Sequence, residues 1–75
     1  MVFDKVCAII ASQFQVDPAT LSEATRLTDD LNADSANVMV LILELESEFE
    51  MDVEDEVILS LRTIGDIVKY ITDHQ

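Results

Sequence analysis

One serine in this chain has the surroundings of a residue to which a group is attached. Ser35 closes the stretch Asp30-Leu31-Asn32-Ala33-Asp34-Ser35, which joins a turn-like segment to a long amphipathic helix rich in acids. We expect its hydroxyl to be exposed, and no histidine lies near it in the sequence to act as its base. A serine that performs nucleophilic catalysis needs such a base. Ser35 therefore indicates covalent attachment rather than bond cleavage.

The spacing of apolar residues predicts the elements around Ser35. A first helix should end near Gln15, because a residue that precedes a proline, here Asp17 before Pro18, disfavours helical backbone. A short turn at Pro18 with Leu21 packed inward is expected next, followed by a loop over residues 22–33 anchored by Leu27 and Leu31. The apolar residues of the first helix recur at i, i+3, i+4 and i+7: Phe3, Val6, Cys7, Ile10 and Phe14.

A second helix is predicted over residues 34–50, with Asp34 as its N-cap. It is apolar on two sides, and in so short a chain the second side has little to pack against. We expect that second side to be a docking patch, with a self-association face as the alternative. The core stripe consists of Val38, Leu41, Ile42, Leu45 and Phe49. The opposite side consists of Ala36, Val40 and Leu43, with Met39 at its margin.

The remaining residues predict two further helices. Val57, Ile58 and Leu61 indicate a short third helix, preceded by a buried Val53. The last helix follows Thr63 and carries Ile64, Ile67, Val68 and Ile71, with Tyr70 beside them. No alternating run is long enough to predict a strand. The predicted fold is therefore all-α, a single domain over residues 1–75 with three main helices and one short helix in a small antiparallel bundle.

The charge excludes some partners and favours others. The 75 residues include 16 acids against four bases, for a net charge of −12. Such a chain repels nucleic acid and anionic membranes and is steered toward basic protein surfaces. Acids dominate residues 44–56, and we expect Glu46 and Glu50 to take part in docking. Arg26, Arg62 and Lys69 are expected to pair locally with acids. With one cysteine and no targeting segment, a cytoplasmic protein is the expectation.

The helix order, the acidity and the Asp34-Ser35 pair together resemble the acyl carrier protein family over essentially the whole chain. Further likeness lies in Asp30-Leu31 and in the segments 45–49 and 63–71. The resemblance implies that Ser35 carries 4′-phosphopantetheine, delivered from coenzyme A by a phosphopantetheinyl transferase, and that Asp34 matches the acid used with the magnesium ion of that transferase. It implies that the chain carries acyl groups in fatty acid, polyketide or specialised lipid synthesis. Separately, we expect the chain to be a monomer. Acyl-processing enzymes with basic surfaces would be its other partners.

The resemblance also implies an acyl pocket between helices. At several positions the chain departs from the residue that is usual in the family. Asn32 stands where the family has Gly, and Asn tolerates a positive φ better than most residues. Ala36 replaces a Leu that partners grip, Val40 stands where many members have an acid, and Glu54 where many have Pro. The expected pocket residues are Leu27, Leu31, Val38, Ile42, Leu45, Val53, Ile58 and Leu61.

Three other functions match parts of the sequence. Catalysis would need a Ser-His-Asp arrangement, but the only histidine is His74 at the C-terminal end. A calcium sensor fits Asp30-x-Asn32-x-Asp34, yet Ser35 and Leu41 stand where an EF-hand needs Gly and Glu. An acidic interaction module without a prosthetic group is the stronger alternative. We expect no resident metal and no enzymatic activity.

Overall fold

Four α-helices and one short 3₁₀ turn form the regular structure of this computed structural model, which describes all residues 1–75. The bundle is built around α1, which packs against both α2 and α4. The prediction of an all-α fold with three main helices and one short helix is confirmed. The helices are α1 (Val2–Phe14), α2 (Ser35–Phe49), α3 (Asp55–Ile58) and α4 (Ile64–His74), with the 3₁₀ turn at Pro18–Thr20 between α1 and α2.

Both longer N-terminal helices end at a residue with left-handed backbone. Gln15 follows α1 with a φ of 55°, and its N–H donates to the carbonyl of Ala11. Glu50 follows α2 with a φ of 52°, and its N–H donates to the carbonyl of Glu46. Such a residue satisfies carbonyls that the last turn leaves free and turns the chain away from the helix axis. The predicted ends of both helices are confirmed.

The core contains only apolar side chains. Its 14 buried residues come from α1, α2, α4 and the connections between them, and no polar or charged residue is buried with them. Most residues of the predicted inward faces of the three long helices are found there. Those that are only half-buried are Phe3, Phe14, Val38, Phe49 and Val68, and Val53, before α3, is half-buried too. The nine most deeply buried side chains are Val6, Ile10, Leu27, Leu41, Ile42, Leu45, Ile64, Ile67 and Ile71.

The loop before α2 is bonded to the start of α4 by backbone hydrogen bonds. The N–H of Leu27 donates to the carbonyl of Arg62 at 2.9 Å, and the N–H of Gly65 donates to the carbonyl of Glu23 at 2.9 Å. A Cβ on Gly65 would lie 3.0 Å from that Glu23 oxygen, so the close approach favours glycine here. These bonds hold the loop in place although it has no regular structure.

The short helix α3 is the least buried of the four α-helices. It has four residues, none of them buried. The sequence predicted Leu61 within this helix, but α3 ends at Ile58 and Leu61 is buried in the connection to α4. The inward position of Leu61 therefore comes from an irregular segment, whose apolar residue the helical period cannot place. No helix has both the length and the apolar character needed to cross a bilayer.

Candidate functional site

The first turn of α2 is fixed by a reciprocal pair of hydrogen bonds. The N–H of Asn37 donates to Oδ1 of Asp34 at 2.8 Å, and the N–H of Asp34 donates to Oδ1 of Asn37 at 3.3 Å. This capping box stabilises the helix start and fixes the direction in which the chain enters it. Asp34 has the extended backbone of an N-cap. Its predicted role as the cap of α2 is confirmed.

Ser35 is the first residue of α2 and is exposed. Its hydroxyl makes no hydrogen bond within the chain. The N–H groups of Ser35 and Ala36 also have no acceptor within the chain, whereas the N–H of Asn37 is taken by Asp34. A helix start leaves its first N–H groups without partners, which would include those of Ala36 and Asn37, but here the capping box engages the N–H of Asn37. A phosphoryl group on Ser35 would meet two free donors at the positive end of the helix.

The turn that leads to Ser35 depends on Asn32. This residue has a φ of 55°, in the left-handed region that asparagine tolerates better than most residues. Next to it, Ala33 is buried, and its N–H donates to the carbonyl of Leu27 at 3.0 Å. The prediction that the turn survives the exchange of glycine for asparagine is confirmed by this backbone. The turn brings the exposed Ser35 directly after a buried anchor.

No histidine stands beside the Ser35 hydroxyl. The groove next to Ser35 has no histidine among its lining residues. His74 lies in the last turn of α4, where its ring stacks on Tyr70 with centroids 4.0 Å apart and its Nδ1 lies 2.8 Å from the Tyr70 carbonyl oxygen. A Ser-His-Asp arrangement is therefore not formed around Ser35.

A groove of about 960 Å³ opens beside Ser35. Residues of the loop, the first turns of α2, the end of α3 and the segment before α4 form its walls. Its floor is apolar and its rim carries charged groups. The apolar lining consists of Leu27, Ala33, Val38, Met39, Ile58, Leu59 and Leu61. The polar lining consists of Arg26, Thr28, Asp29, Asp34, Ser35 and Arg62.

The groove contains half of the residues predicted for an acyl pocket. Leu27, Val38, Ile58 and Leu61 line it, whereas Leu31, Ile42, Leu45 and Val53 do not. Helix geometry explains part of the difference, since a rise of about 1.5 Å per residue puts the tenth residue after Ser35 roughly 15 Å farther along α2. Ile42 and Leu45 are instead packed in the core with 2% of their surface exposed.

Met39 and Leu59 line the groove although the sequence did not predict them for it. Leu59 is 82% exposed, a large apolar side chain directly after α3. The sequence feature that could have indicated Leu59 is the run of three apolar residues Val57-Ile58-Leu59. A short helix cannot turn three consecutive side chains toward the core, so at least one of them has to lie at the surface. Met39 had been predicted at the margin of the docking patch, and the structure gives it a position at the groove as well.

The second apolar side of α2 is exposed, as the sequence predicted. Ala36 is exposed, and the exposed fractions of Met39, Val40 and Leu43 are 44%, 47% and 60%. Exposed apolar side chains that share one helix face make a patch suited to binding another protein. Glu50, at the end of α2, is also exposed. We call the group Ala36, Met39, Val40 and Leu43 the α2 apolar patch.

Glu46 has a structural contact that the sequence did not predict. Its Oε2 accepts a hydrogen bond from the N–H of Val53 at 2.8 Å, and its side chain is half-buried. The carboxylate thereby joins α2 to the segment that leads into α3. One of its oxygens is thus engaged inside the chain, and the docking role expected for Glu46 stays a prediction.

The acids that resembled a calcium loop also hold the turn. The guanidinium of Arg26 donates to Oδ1 of Asp30 at 3.2 Å, and the backbone N–H of Arg26 donates to Oδ2 at 2.7 Å. The side-chain hydrogen bond from Arg26, followed by its backbone N–H bond, lowers the pKa of Asp30. Asp34 caps α2 and Asn32 forms the left-handed turn. Asp30, Asn32 and Asp34 thus all stabilise the turn that leads into Ser35.

The sequence and the fold of this chain are similar to those of known proteins of one family. The family model for the phosphopantetheine attachment site matches residues 4–71. The acyl carrier protein of Lactobacillus acidophilus is 39% identical over 74 residues, which cover 99% of this chain and 92% of that protein. The acyl carrier protein of Clostridium perfringens is 42% identical over 72 residues, covering 96% and 95%. A solved acyl carrier protein from Enterococcus faecalis is 38% identical and superposes with a TM-score of 0.86, covering 99% of this chain and 94% of that one.

Proposed function

This chain belongs to the acyl carrier protein family, and we propose that Ser35 is the residue on which it carries 4′-phosphopantetheine. Members of the family bind that group covalently and serve as acyl carriers in fatty acid synthesis. The arm ends in a thiol that holds acyl groups as thioesters. Such proteins act as carriers rather than catalysts. The finer proposals concern which residues hold the arm, accommodate the cargo and bind partner enzymes.

The fit of Ser35 to the arm is supported by three features of the helix start. The hydroxyl is exposed and free of hydrogen bonds, so a transferase could reach it. The unoccupied N–H groups of Ser35 and Ala36 would stabilise a phosphodiester at that point. Asp34 is exposed and directly precedes Ser35, with its Oδ1 bonded to Asn37 and its second oxygen free to face a partner's metal ion.

We propose that the groove beside Ser35 receives the acyl chain. Its apolar floor is continuous with the site of attachment, and α3, which forms part of its wall, has no buried residue to resist movement. Elements with few buried contacts open at the lowest free-energy cost. A longer acyl chain would displace α3 before it displaced the core around Ile42 and Leu45.

We propose that partner enzymes bind the α2 apolar patch through a surface that combines an apolar centre with basic residues. The patch supplies the apolar contact, and the acids of α2 and the following segment attract cations during encounter. An interaction module without an arm would use the same patch. The two functions differ in whether Ser35 is modified.

Intact mass measurement tests the attachment. The chain is treated with coenzyme A and an active phosphopantetheinyl transferase, and its mass should rise by one arm. Ser35→Ala should stay at its bare mass with an unchanged circular dichroism spectrum. Ser47→Ala, which removes a second exposed serine from the same helix, is the matched control and should gain the arm. An arm that attaches to the Ser35 variant, or no arm on the wild-type chain, would refute the proposal.

Thiol labelling gives a second reading of the same attachment. Cys7 is 5% exposed, and burial, followed by the neighbouring charge of Asp4, raises the pKa of its thiol. A buried thiol with a raised pKa reacts slowly, because the thiolate is the nucleophile. The folded protein with its arm should therefore label at one fast thiol, and the folded protein without it at none. Fast labelling of the unmodified folded chain would contradict the buried position of Cys7.

Association kinetics test the docking proposal. Replacing Leu43 by Asn should weaken binding to an acyl-processing enzyme mainly by faster dissociation, because the exposed apolar contact is lost. Glu50→Lys should slow association, most strongly at low salt. Glu23→Lys makes the same charge change at an exposed residue outside α2 and should slow association less. Equal effects of the two charge reversals would point to net charge alone and against a docking face on α2.

A further inference from the structure

One basic side chain of this acidic protein has no acid partner. Lys5 lies 3.8 Å from Glu48, and Lys69 lies 2.9 Å from Asp73. Arg26 is paired with two acids, Asp29 at 3.3 Å and Asp30 at 3.2 Å. Arg62 is the fourth base, and its guanidinium has no carboxylate within salt-bridge distance. The sequence-based prediction that Arg62 pairs with a neighbouring acid is therefore wrong.

The backbone of Arg62 is held on both sides while its side chain is exposed. Its carbonyl accepts the N–H of Leu27 at 2.9 Å, and its N–H donates to Oδ2 of Asp66 at 3.0 Å. These bonds fix the root of the side chain at the junction of the loop and α4. Oδ2 of the acid nearest in sequence, Asp66, accepts the backbone N–H groups of Arg62 and Thr63, and the Arg62 guanidinium forms no hydrogen bond with this carboxylate. The guanidinium is thus left with its five donors available.

Arg62 lines the same groove as Ser35. The other charged residues of that rim are Arg26, Asp29 and Asp34. Arg26 forms ion pairs with two acids, so Arg62 is the cation at the rim that makes no salt bridge, and its charge acts on Asp66 only from beyond that distance. In a chain with a net charge of −12, a cation left free at this position is available for an anion that the chain itself does not supply.

We propose that Arg62 binds the anionic group carried on Ser35 and so draws the arm toward the groove. This inference rests on the proposed attachment at Ser35. The shared chemistry is an oxyanion bound by charge-assisted hydrogen bonds from a guanidinium, which can bind two oxygens at once. The phosphodiester of the arm is one source of that oxyanion, and a carboxylate on the acyl cargo is the other. Arg62 is a positioning residue in this proposal and takes no part in bond making.

Nuclear magnetic resonance of the arginine side chains tests the proposal. The Nε–H signal of Arg62 is compared in the chain without the arm, with the arm, with an uncharged acetyl cargo and with a malonyl cargo on a non-hydrolysable linkage. We expect the signal to shift, and its exchange with water to slow by about two- to fivefold, when the anion is present. The change should diminish in 1 M salt, where the Debye length falls to about 3 Å.

The four samples distinguish the two possible sources of the oxyanion. A change on attachment of the arm alone identifies the phosphodiester, and a change only with the malonyl cargo identifies a carboxylate. In parallel, Arg62→Gln should alter the ³¹P signal of the arm or the carboxylate signal of the malonyl cargo. Arg62→Lys keeps the positive charge and should return that signal part of the way to its wild-type position. Lys69→Gln, a matched loss of one charge outside the groove, should leave the signal unchanged.

An Arg62 signal that is identical in all four forms would overturn the inference. Intact mass of each sample shows whether the arm is present, so this failure is distinct from a failure of attachment at Ser35. The Arg62 side chain is exposed and makes no internal contact that the fold requires, and circular dichroism of the variants checks that they are folded.

Discussion

Replacing Glu46 by alanine should destabilise this protein, although removing an acid from so negative a chain would by charge alone stabilise it. Oε2 of Glu46 accepts the N–H of Val53 at 2.8 Å, a part-buried bond between α2 and the segment before α3. Alanine leaves that N–H without its acceptor. Glu46 also lies in the C-terminal half of α2, where a negative charge opposes the helix dipole. The two effects have opposite signs, so the direction of the change identifies the dominant one.

The magnitude follows from the kind of bond. A hydrogen bond to a charged group contributes about 1.5–3 kcal/mol when buried, and partial exposure of Glu46 reduces this to about 1 kcal/mol. For a domain of this size, such a loss lowers the melting temperature by roughly 4–8 °C. With an m-value of about 1 kcal/mol/M, the urea midpoint should fall by roughly 1 M. Urea unfolding followed by circular dichroism measures it.

Two variants make the test specific. Glu44→Ala removes the same side chain from an exposed position on the same helix and should change the free energy of unfolding by less than about 0.5 kcal/mol. Glu46→Gln keeps an acceptor oxygen and should retain most of the stability. If Glu46→Ala is as stable as Glu44→Ala, the bond to Val53 contributes nothing, and Glu46 is available to partners as the sequence suggested.

Three further predictions concern the turn, the last helix and the overall charge. Asn32→Ala should cost about 1 kcal/mol in thermal unfolding because φ is 55°, whereas Asn32→Gly should be near neutral; equal stability of the two would contradict the left-handed turn. The backbone N–H of Arg62, then that of Thr63, lowers the pKa of Asp66, so its contribution is present above the ordinary carboxyl pKa and is lost as pH falls through the lowered value. Asp66→Ala should therefore cost about 1 kcal/mol near neutral pH, and its deficit in urea midpoint should shrink below about pH 4; a constant deficit would refute this. Magnesium should raise the melting temperature more than sodium at equal ionic strength, and a flat titration would exclude self-repulsion as a destabilising term.

Interactions between neighbouring residues were sufficient to predict the helices and much of the turn that leads to Ser35. Asp34 as a cap, Pro18 after the first helix and apolar residues at helical spacing each act over a few neighbouring residues, so their effect is visible in the sequence. The same holds for Asn32, whose backbone tolerance is a property of the side chain itself. The exposed patch on α2 could also be predicted, because a helix apolar on two sides cannot bury both in a chain of 75 residues.

The groove could not be predicted in the same way. Its walls come from segments far apart in the sequence, and the type of an apolar residue does not tell whether it lines a groove or fills the core. Leu45 and Leu61 both belong to the core, yet only Leu61 also lines the groove. The choice between these positions depends on how the loop, the short α3 and the start of α4 meet.

By itself, the sequence determined the helices, their caps, the exposed serine and the negative charge, since each follows from residue types within one or two turns of chain. Only the tertiary structure decided the partners of the charged side chains. It bonded Glu46 to the backbone of Val53, and it left Arg62 unpaired at the groove beside Ser35. The physical reason is that a long polar side chain can reach several partners, and packing of distant segments selects among them.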